Sequence, residues 1–325
     1  MQALLNFKQF VKRLLPFGKR GFPARANASA AVDSTLTVDE LPVVPVHGND
    51  LRLRIDQWDS LDLLKQTFEP SEVKLVKQLV KPGQTVLDVG ANIGYYTLLF
   101  SRLVQTSGQV IAFEPDPQNA AILHRNLDEN GCGNVSLHQV AVGDRAATTR
   151  LFQCDGNGGM HRLYDSICCS EKYVEVSTVV LDSLLAATPR IDFIKMDIEG
   201  YEYFALQGMR SILATHAPTL MTEFSPFALA ETGVTATAMI QFFADQGYTI
   251  SSIGDNLVPQ DYDDLFARAA VFDAHAGDLL ARSRCNSLAE FSSYLTASFE
   301  EMGRPFEILD SWLCEKGAPI NANIR

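Results

Sequence analysis

"VLDVGANIGYYT", residues 86–97, decides how the rest of the chain is read. Val86, Leu87 and Val89 make an apolar, β-branched run interrupted by Asp88, and Gly90, Asn92 and Gly94 then stand at every second position. The apolar residues that follow in "YYTLLFSRLV" recur at helical spacing. The pattern predicts a buried strand, a tight glycine loop and a helix. Glycines in such a loop let the backbone turn sharply and approach a ligand that a Cβ would exclude. A phosphate-cradling loop would show G-x-G-x-x-G with pyrophosphate at the helix N-terminus, but the third glycine is absent here. Asp88 also places a carboxylate where a pyrophosphate would be repelled. The acid suits a ligand carrying an amino group or a positive centre.

Working outward, short apolar runs alternate with helical patterns from about residue 70, as in a doubly wound α/β sheet. The expected strands are "TVLDV" (85–89), "QVIAFEPD" (109–116), "NVSLHQVAV" (134–142), "IDFIKMD" (191–197), "PTLMTEF" (218–224) and "YTISSI" (248–253), with "LFARAAVF" closing the sheet. Asp116 and Pro117 supply a cap and a first helical residue for a helix that stops at Asn130-Gly131. "TTRLF" and "KYVEVSTVV" are expected to form a hairpin around a glycine-rich loop at 156–159. In such a sheet ligands gather at the carboxyl ends of the strands. Asp88, Glu114, Ala141 to Asp144, Asp197 to Gly200 and Glu223 all fall at those ends.

The chain has 325 residues, is 46% hydrophobic and carries a formal charge of −12. That charge argues against nucleic acid as a partner, which needs basic patches. Six cysteines are scattered without metal spacing, and no secretory signal accompanies them, so reduced thiols in the cytoplasm are expected. No apolar run approaches the roughly 20 residues of a membrane-spanning helix. Residues 1–25 carry six basic residues and no acid, with apolar residues at near-helical spacing, and suit peripheral contact with an anionic membrane surface. Three regions are expected: a basic segment and linker over 1–45, a main domain over 46–284, and a C-terminal helical extension over 285–325. In the last, Ser287 and Glu290 form a capping box.

S-adenosylmethionine has both an amino group and a sulfonium, and it fits the loop after Asp88. Glu114, at the end of the second strand, can accept hydrogen bonds from both hydroxyls of a ribose. "VLDVGANIGYYT", "AFEPDP", "VAVGD" and "IDFIKMDIEGYE" together resemble the FkbM family of S-adenosylmethionine-dependent methyltransferases over roughly residues 70–270. The resemblance implies a Rossmann-like class I methyltransferase fold, a doubly wound and mostly parallel sheet of seven strands. It also implies O-methylation of a hydroxyl on a sugar, glycolipid or secondary metabolite, so a small-molecule, glycan or glycolipid acceptor is expected. Carried over by position, Asp88, Gly90, Asn92 and Gly94 would line the methionine part, Glu114 the ribose, and Ala141 and Val142 the adenine. Ala91, Tyr95 and Pro115, in the same loops, complete the expected cofactor contacts.

Methyl transfer to a hydroxyl needs an aligned oxygen and a group to take its proton. Lys195, Asp197 and Glu199 are the expected catalytic residues, because alternation from the end of the strand would send 195, 197 and 199 to one side. Glu202, Glu223 and the loop residue His161 are weaker candidates. The acids could instead hold Mg²⁺, a reading the sequence does not favour. Two alternatives stay open: an NAD-dependent oxidoreductase, which the missing glycine opposes, and a catalytically silent cofactor-binding module.

Overall fold

The computed structural model describes residues 37–48, 50–55, 68–154, 158–166, 169, 171–282 and 310–316. The N-terminal basic segment and the capping box at Ser287 lie outside these residues. In chain order, a hairpin of β1 (Val43–Val46) and β2 (Leu51–Arg54) precedes α1 (Pro70–Leu79). Then come β3 (Thr85–Val89), α2 (Tyr95–Val104), β4 (Gln109–Phe113), α3 (Pro117–Asn130) and β5 (Val135–His138). An excursion follows, with β6 (Ala141–Val142), β7 (Ala147–Phe152), β8 (Tyr173–Val179) and the short α4 (Leu181–Leu184). β9 (Phe193–Met196), α5 (Glu202–Gln207), α6 (Arg210–His216) and β10 (Thr219–Phe224) return the chain to the main sheet. The remainder is α7 (Pro226–Glu231), α8 (Ala236–Asp245), β11 (Tyr248–Ser252), β12 (Val258–Pro259), α9 (Tyr262–Arg282) and β13 (Asp310–Lys316).

The main sheet has the order β12-β11-β13-β10-β9-β3-β4-β5, and β12 contributes only the pair Val258–Pro259 at its edge. Without that pair it is the expected seven-stranded, Rossmann-like sheet. β5, β4, β3, β9 and β10 run parallel. The strand order reverses at β3: the chain moves outward through β4 and β5, then crosses back to place β9 on the other side of β3. A crevice forms at such a reversal, at the carboxyl ends of the flanking strands. The loops after β3 and β9 therefore face one another.

β3 is buried at all five residues, as a strand covered on both faces must be. Asp116 Oδ1 accepts from the amides of Gln118 and Asn119 at 2.8 and 3.0 Å, and Gly131 ends α3 at a φ of 64°, as the local sequence predicts. The excursion hairpin also forms, β7 pairing antiparallel with β8. "NVSLHQVAV" is divided: β5 holds only Val135–His138, and Ala141–Val142 pair with β8 in a separate three-stranded sheet.

Three expectations are corrected. "LFARAAVF" lies inside α9, with Leu265, Ala269 and Phe272 buried at helical spacing. A short apolar run reads equally well as strand or helix, and the spacing of its buried residues selects helix. The sheet is instead completed by β13, from the region assigned to a helical extension, which inserts antiparallel between β10 and β11. Trp312 of β13 is fully buried and stacks on Phe224 at 3.8 Å between centroids, so this strand belongs to the core of the main domain. β1 likewise begins inside the segment set off at 1–45.

The β1–β2 hairpin packs Val44, Val46, Leu51 and Leu53 against Ile93, Leu98, Ile122 and Leu123. Buried Asn126 ties it to the loop after β3. Its amide nitrogen donates to the carbonyls of Ile93 (2.7 Å) and Arg54 (3.1 Å), and its Oδ1 accepts from Arg54 N at 2.6 Å. Asn126→Ala leaves these buried backbone groups unpaired and is expected to cost about 1–3 kcal/mol. A urea midpoint equal to that of the parent protein would refute this account of the tie.

Candidate active site

A cleft opens at the reversal of strand order. Its floor and one side come from Val89 to Ile93 and from Phe113 to Pro115, and its far side from Lys195 and Asp197 to Glu199. Val140 to Val142, with Leu151 and Leu163, form an apolar end, while Phe68, Tyr95 and Tyr96 supply aromatic rings.

The loop after β3 is built from backbone. Gly90 and Ala91 both donate to the carbonyl of Phe113 at 3.0 Å. Gly90 has a φ of 83°, and a Cβ there would lie 1.9 Å from the carbonyl oxygen of Asp197, so only glycine lets the β3 and β9 loops touch. Asn92 takes a φ of 50°, and its amide donates to Glu114 Oε2 at 2.8 Å. Glu114 Oε1 accepts from Asp116 N at 2.9 Å. The Asn119 side chain makes a further hydrogen bond to this carboxylate. Burial pushes the Glu114 carboxyl up to about 7, against the lowering effect of these amides.

The three expected catalytic residues meet in the cleft wall. Asp88 and Lys195 are lateral neighbours on β3 and β9. Lys195 Nζ stands 3.3 Å from Asp197 Oδ2 and over the Tyr96 ring at 5.1 Å from its centroid. Burial opposes its charge, but Asp197, Asp88 and Glu69 outweigh that and hold the ammonium above its ordinary value. Glu199 joins the group by a different route from the expected alternation. β9 ends at Met196, and Glu199 turns back through a φ of 55°, followed by Gly200 at 99°. Oxygens of Asp197, Glu199 and Glu223 lie within 4.8 Å of one another. Lys195 already sits against the first, and Arg162 Nη2 stands 3.3 Å from Glu199 Oε2, so two cations of the chain offset this charge before any Mg²⁺ is invoked.

Of the ten expected cofactor residues, Gly90, Ala91, Asn92, Tyr95, Glu114, Pro115, Ala141 and Val142 line the cleft. Asp88 and Gly94 do not. Asp88 is fully buried behind the wall, where Oδ2 accepts from the Thr97 hydroxyl at 2.5 Å and burial pushes its carboxyl pKa up. It stands beside Lys195 in register, so the two side chains share one face of the sheet and the ammonium offsets the Asp88 charge. Gly94, at a φ of 100°, makes room for packing: a Cβ would meet Leu123 Cδ1 at 2.3 Å.

Glu202 points into its own turn, accepting from Ile198 N at 2.9 Å, and burial pushes it up to about 8. His161 does line the cleft, with Nδ1 accepting from Cys154 N at 3.2 Å and Nε2 at 3.8 Å from Asp116 Oδ2. Arg162, Tyr164 and Glu231, around Glu199, escaped the sequence reading. No local pattern marks them, since Arg162 and Glu231 pair across 69 positions.

Among the described residues no helix is long and apolar enough to cross a membrane. The family model "Methyltransferase FkbM domain" matches residues 88–250, about half of the chain. Hexuronic acid methyltransferase AglP of Haloferax volcanii is 25% identical over 150 residues, 45% of this chain and 58% of that protein. 31-O-demethyl-FK506 methyltransferase FkbM of Streptomyces tacrolimicus is 39% identical over 72 residues, 22% of this chain and 27% of that protein. The crystal structure of methyltransferase FkbM from Methylobacillus flagellatus KT superposes with a TM-score of 0.36 at 19% identity, covering 61% of this chain and 52% of that one. The chain thus spans well under two thirds of the length of each of these relatives. The domain match begins at Asp88, takes in the strand ends that form the cleft and ends inside β11, and on it the chain belongs to the FkbM methyltransferase domain family.

Proposed function

We propose that the cleft binds S-adenosylmethionine and directs its methyl group to a hydroxyl of a sugar-like acceptor. The observation that carries this reading is that the β3 loop, Glu114 and the Lys195–Asp197–Glu199 group share one cavity. The residues present suit that cofactor. Glu114 offers carboxylate oxygens to a ribose diol, Ala141, Val142 and Leu151 suit a purine, and Asp197 and Glu199 bring negative charge that suits the sulfonium. Bound there, S-adenosylmethionine supplies an electrophilic methyl.

The chain supplies the rest. Lys195 would hold the Asp197 carboxylate in place, and Asp197 would accept the hydrogen bond of the acceptor hydroxyl, then its proton, as the O–C bond forms and the methyl–sulfur bond breaks to leave S-adenosylhomocysteine. Phe68, Tyr95 and Tyr96 line the cleft with aromatic rings, a surface that suits the apolar face of a sugar. The relative named for a hexuronic acid supports an acceptor of this class. Calorimetric titration with S-adenosylmethionine, S-adenosylhomocysteine and NAD tests the cofactor, with binding of the two sulfur nucleotides alone expected. Transfer of a tritiated methyl group to a panel of hexuronic acids and neutral sugars tests the acceptor. Binding of NAD alone would overturn the reading.

Glu114 makes the binding depend on pH. Its carboxyl is raised from 4.5 to about 7, so the free protein favours the neutral acid, and its stability falls as pH rises through that window. A ribose diol needs the carboxylate as acceptor. Affinity for S-adenosylhomocysteine is therefore expected to weaken below pH 7 by up to about tenfold per pH unit, with a proton released on binding. Titrations at about pH 5.5 and 8 check this, and equal affinities at both would remove Glu114 from the ribose site.

A further inference from the structure

The excursion between β7 and β8 lines the cleft as a short strap, of which residues 153–154, 158–166, 169 and 171–172 are described. At Arg162 the strap runs antiparallel to the end of β7: Phe152 N donates to Arg162 O at 2.8 Å, and Arg162 N to Phe152 O at 3.1 Å. Extended backbone sends alternate side chains to opposite faces. His161 and Leu163 line the cleft, while Arg162 and Tyr164 turn the other way, toward the loop after β9.

Their contacts converge on Glu199. Arg162 Nη2 stands 3.3 Å from Glu199 Oε2, and the Tyr164 hydroxyl donates to the Glu199 carbonyl at 2.8 Å. The same hydroxyl fills the space over Gly200, where a Cβ would lie 2.5 Å from it. Glu199 has a φ of 55°, a left-handed state that a residue with a Cβ keeps only where the surroundings hold it, and Gly200 continues the turn at 99°. The other branch of the guanidinium is anchored: Nη1 donates to Glu231 Oε2 at 2.9 Å, and to Ser166 Oγ and Tyr164 Oη at 3.0 and 3.1 Å. The side chains of Arg162 and Glu231 are each 5% exposed, and removing either would strand a buried charge. Glu199, at 20%, is the partner that also meets the cleft.

We propose that Arg162 and Tyr164 are positioning residues, which hold the strained Glu199–Gly200 turn so that the Glu199 carboxylate is presented at the acceptor side of the cleft. The part Glu199 plays toward an acceptor rests on the methyl-transfer reading; the mechanical link does not. Arg162 bridges an anchored carboxylate and a cleft carboxylate because its planar fork reaches both, which a lysine ammonium cannot do. The strap that walls the cofactor end thereby sets the geometry at the acceptor end.

The test is amide hydrogen exchange over residues 197–204 in the full-length protein saturated with S-adenosylhomocysteine. In Arg162→Gln exchange there is expected to run about tenfold faster, with Kd for S-adenosylhomocysteine within about threefold. Arg162→Lys should fall between the two. Against a Glu199→Gln background the Arg162→Gln change should add little, since coupled residues are not additive. A merely structural arginine would add its full effect in that background, and that additivity would overturn the proposal. So would unaltered exchange over 197–204 in Arg162→Gln. Should that variant fail to fold, Tyr164→Phe removes one hydroxyl, with faster exchange at the same residues supporting the proposal and unaltered exchange refuting it. If S-adenosylhomocysteine does not bind at all, the cofactor reading fails, while the same comparison on the free protein still decides the positioning role.

Discussion

Asp197→Asn is expected to slow methyl transfer by about 10²- to 10⁴-fold, the range a positioned proton acceptor contributes, while leaving S-adenosylhomocysteine affinity within about threefold. The amide keeps the size of the side chain and an oxygen for Lys195 Nζ, now 3.3 Å from Asp197 Oδ2. What it loses is the ability to take a proton. The expected split between turnover and binding follows from the shared wall. Glu114 follows β4 and Asp197 follows β9, on opposite flanks of β3, so the change falls on the reacting oxygen more than on the nucleoside. Single-turnover transfer of a tritiated methyl group, alongside calorimetry, measures both. Turnover within threefold of the parent would shift the role of proton acceptor to Glu199, the other carboxylate of the cluster.

Gly90→Ala is the second large effect, and it acts on the architecture of the cleft. Its Cβ would stand 1.9 Å from the Asp197 carbonyl oxygen, 2.9 Å from that carbonyl carbon and 3.0 Å from Ile198 Cγ2. The first two are backbone atoms in a loop tied to β3 by the Asp197 amide, which donates to Val89 O at 3.0 Å, so no rotamer change relieves the contact. Backbone strain and overpacking each cost about 1–3 kcal/mol, and together about 3 kcal/mol or more is expected. The β3 and β9 loops must separate, and S-adenosylhomocysteine affinity should fall about 100-fold or more, the equivalent of about 3 kcal/mol. Gly83→Ala is the control. It has the same φ of 83°, but its Cβ would meet only Ser107 Oγ at 3.7 Å, so it carries the left-handed penalty of about 1–2 kcal/mol without the clash. Equal stability losses for the two variants would mean that the approach of the two loops is not what Gly90 provides.

Much of the site is legible in the chain because some residues act on their own backbone. Asp116 caps the helix that Pro117 opens, Gly131 ends it, and the glycines after Val89 turn a strand into a helix at the carboxyl edge of the sheet. These are short-range effects, and they put the β3 loop, Glu114 and Lys195–Glu199 at or just beyond strand ends without knowledge of any neighbour. Asp88 and Gly94 belong to the same motif, yet what each touches depends on elements far along the chain. Lys195 of β9 is the lateral neighbour of Asp88, and Leu123 of α3 packs against Gly94. The order of strands sets those partners, and strand order is settled by how the whole sheet covers itself. β13 is the clearest case, since nothing within "DSWLCEK" chooses between an edge and the gap between β10 and β11; burial of Trp312 against Phe224 does. Arg162 and Glu231 follow the same rule. Local chemistry dictates the turn, the cap and the run of a strand, whereas a buried charge finds its counter-charge only when packing brings two distant loops to the same place.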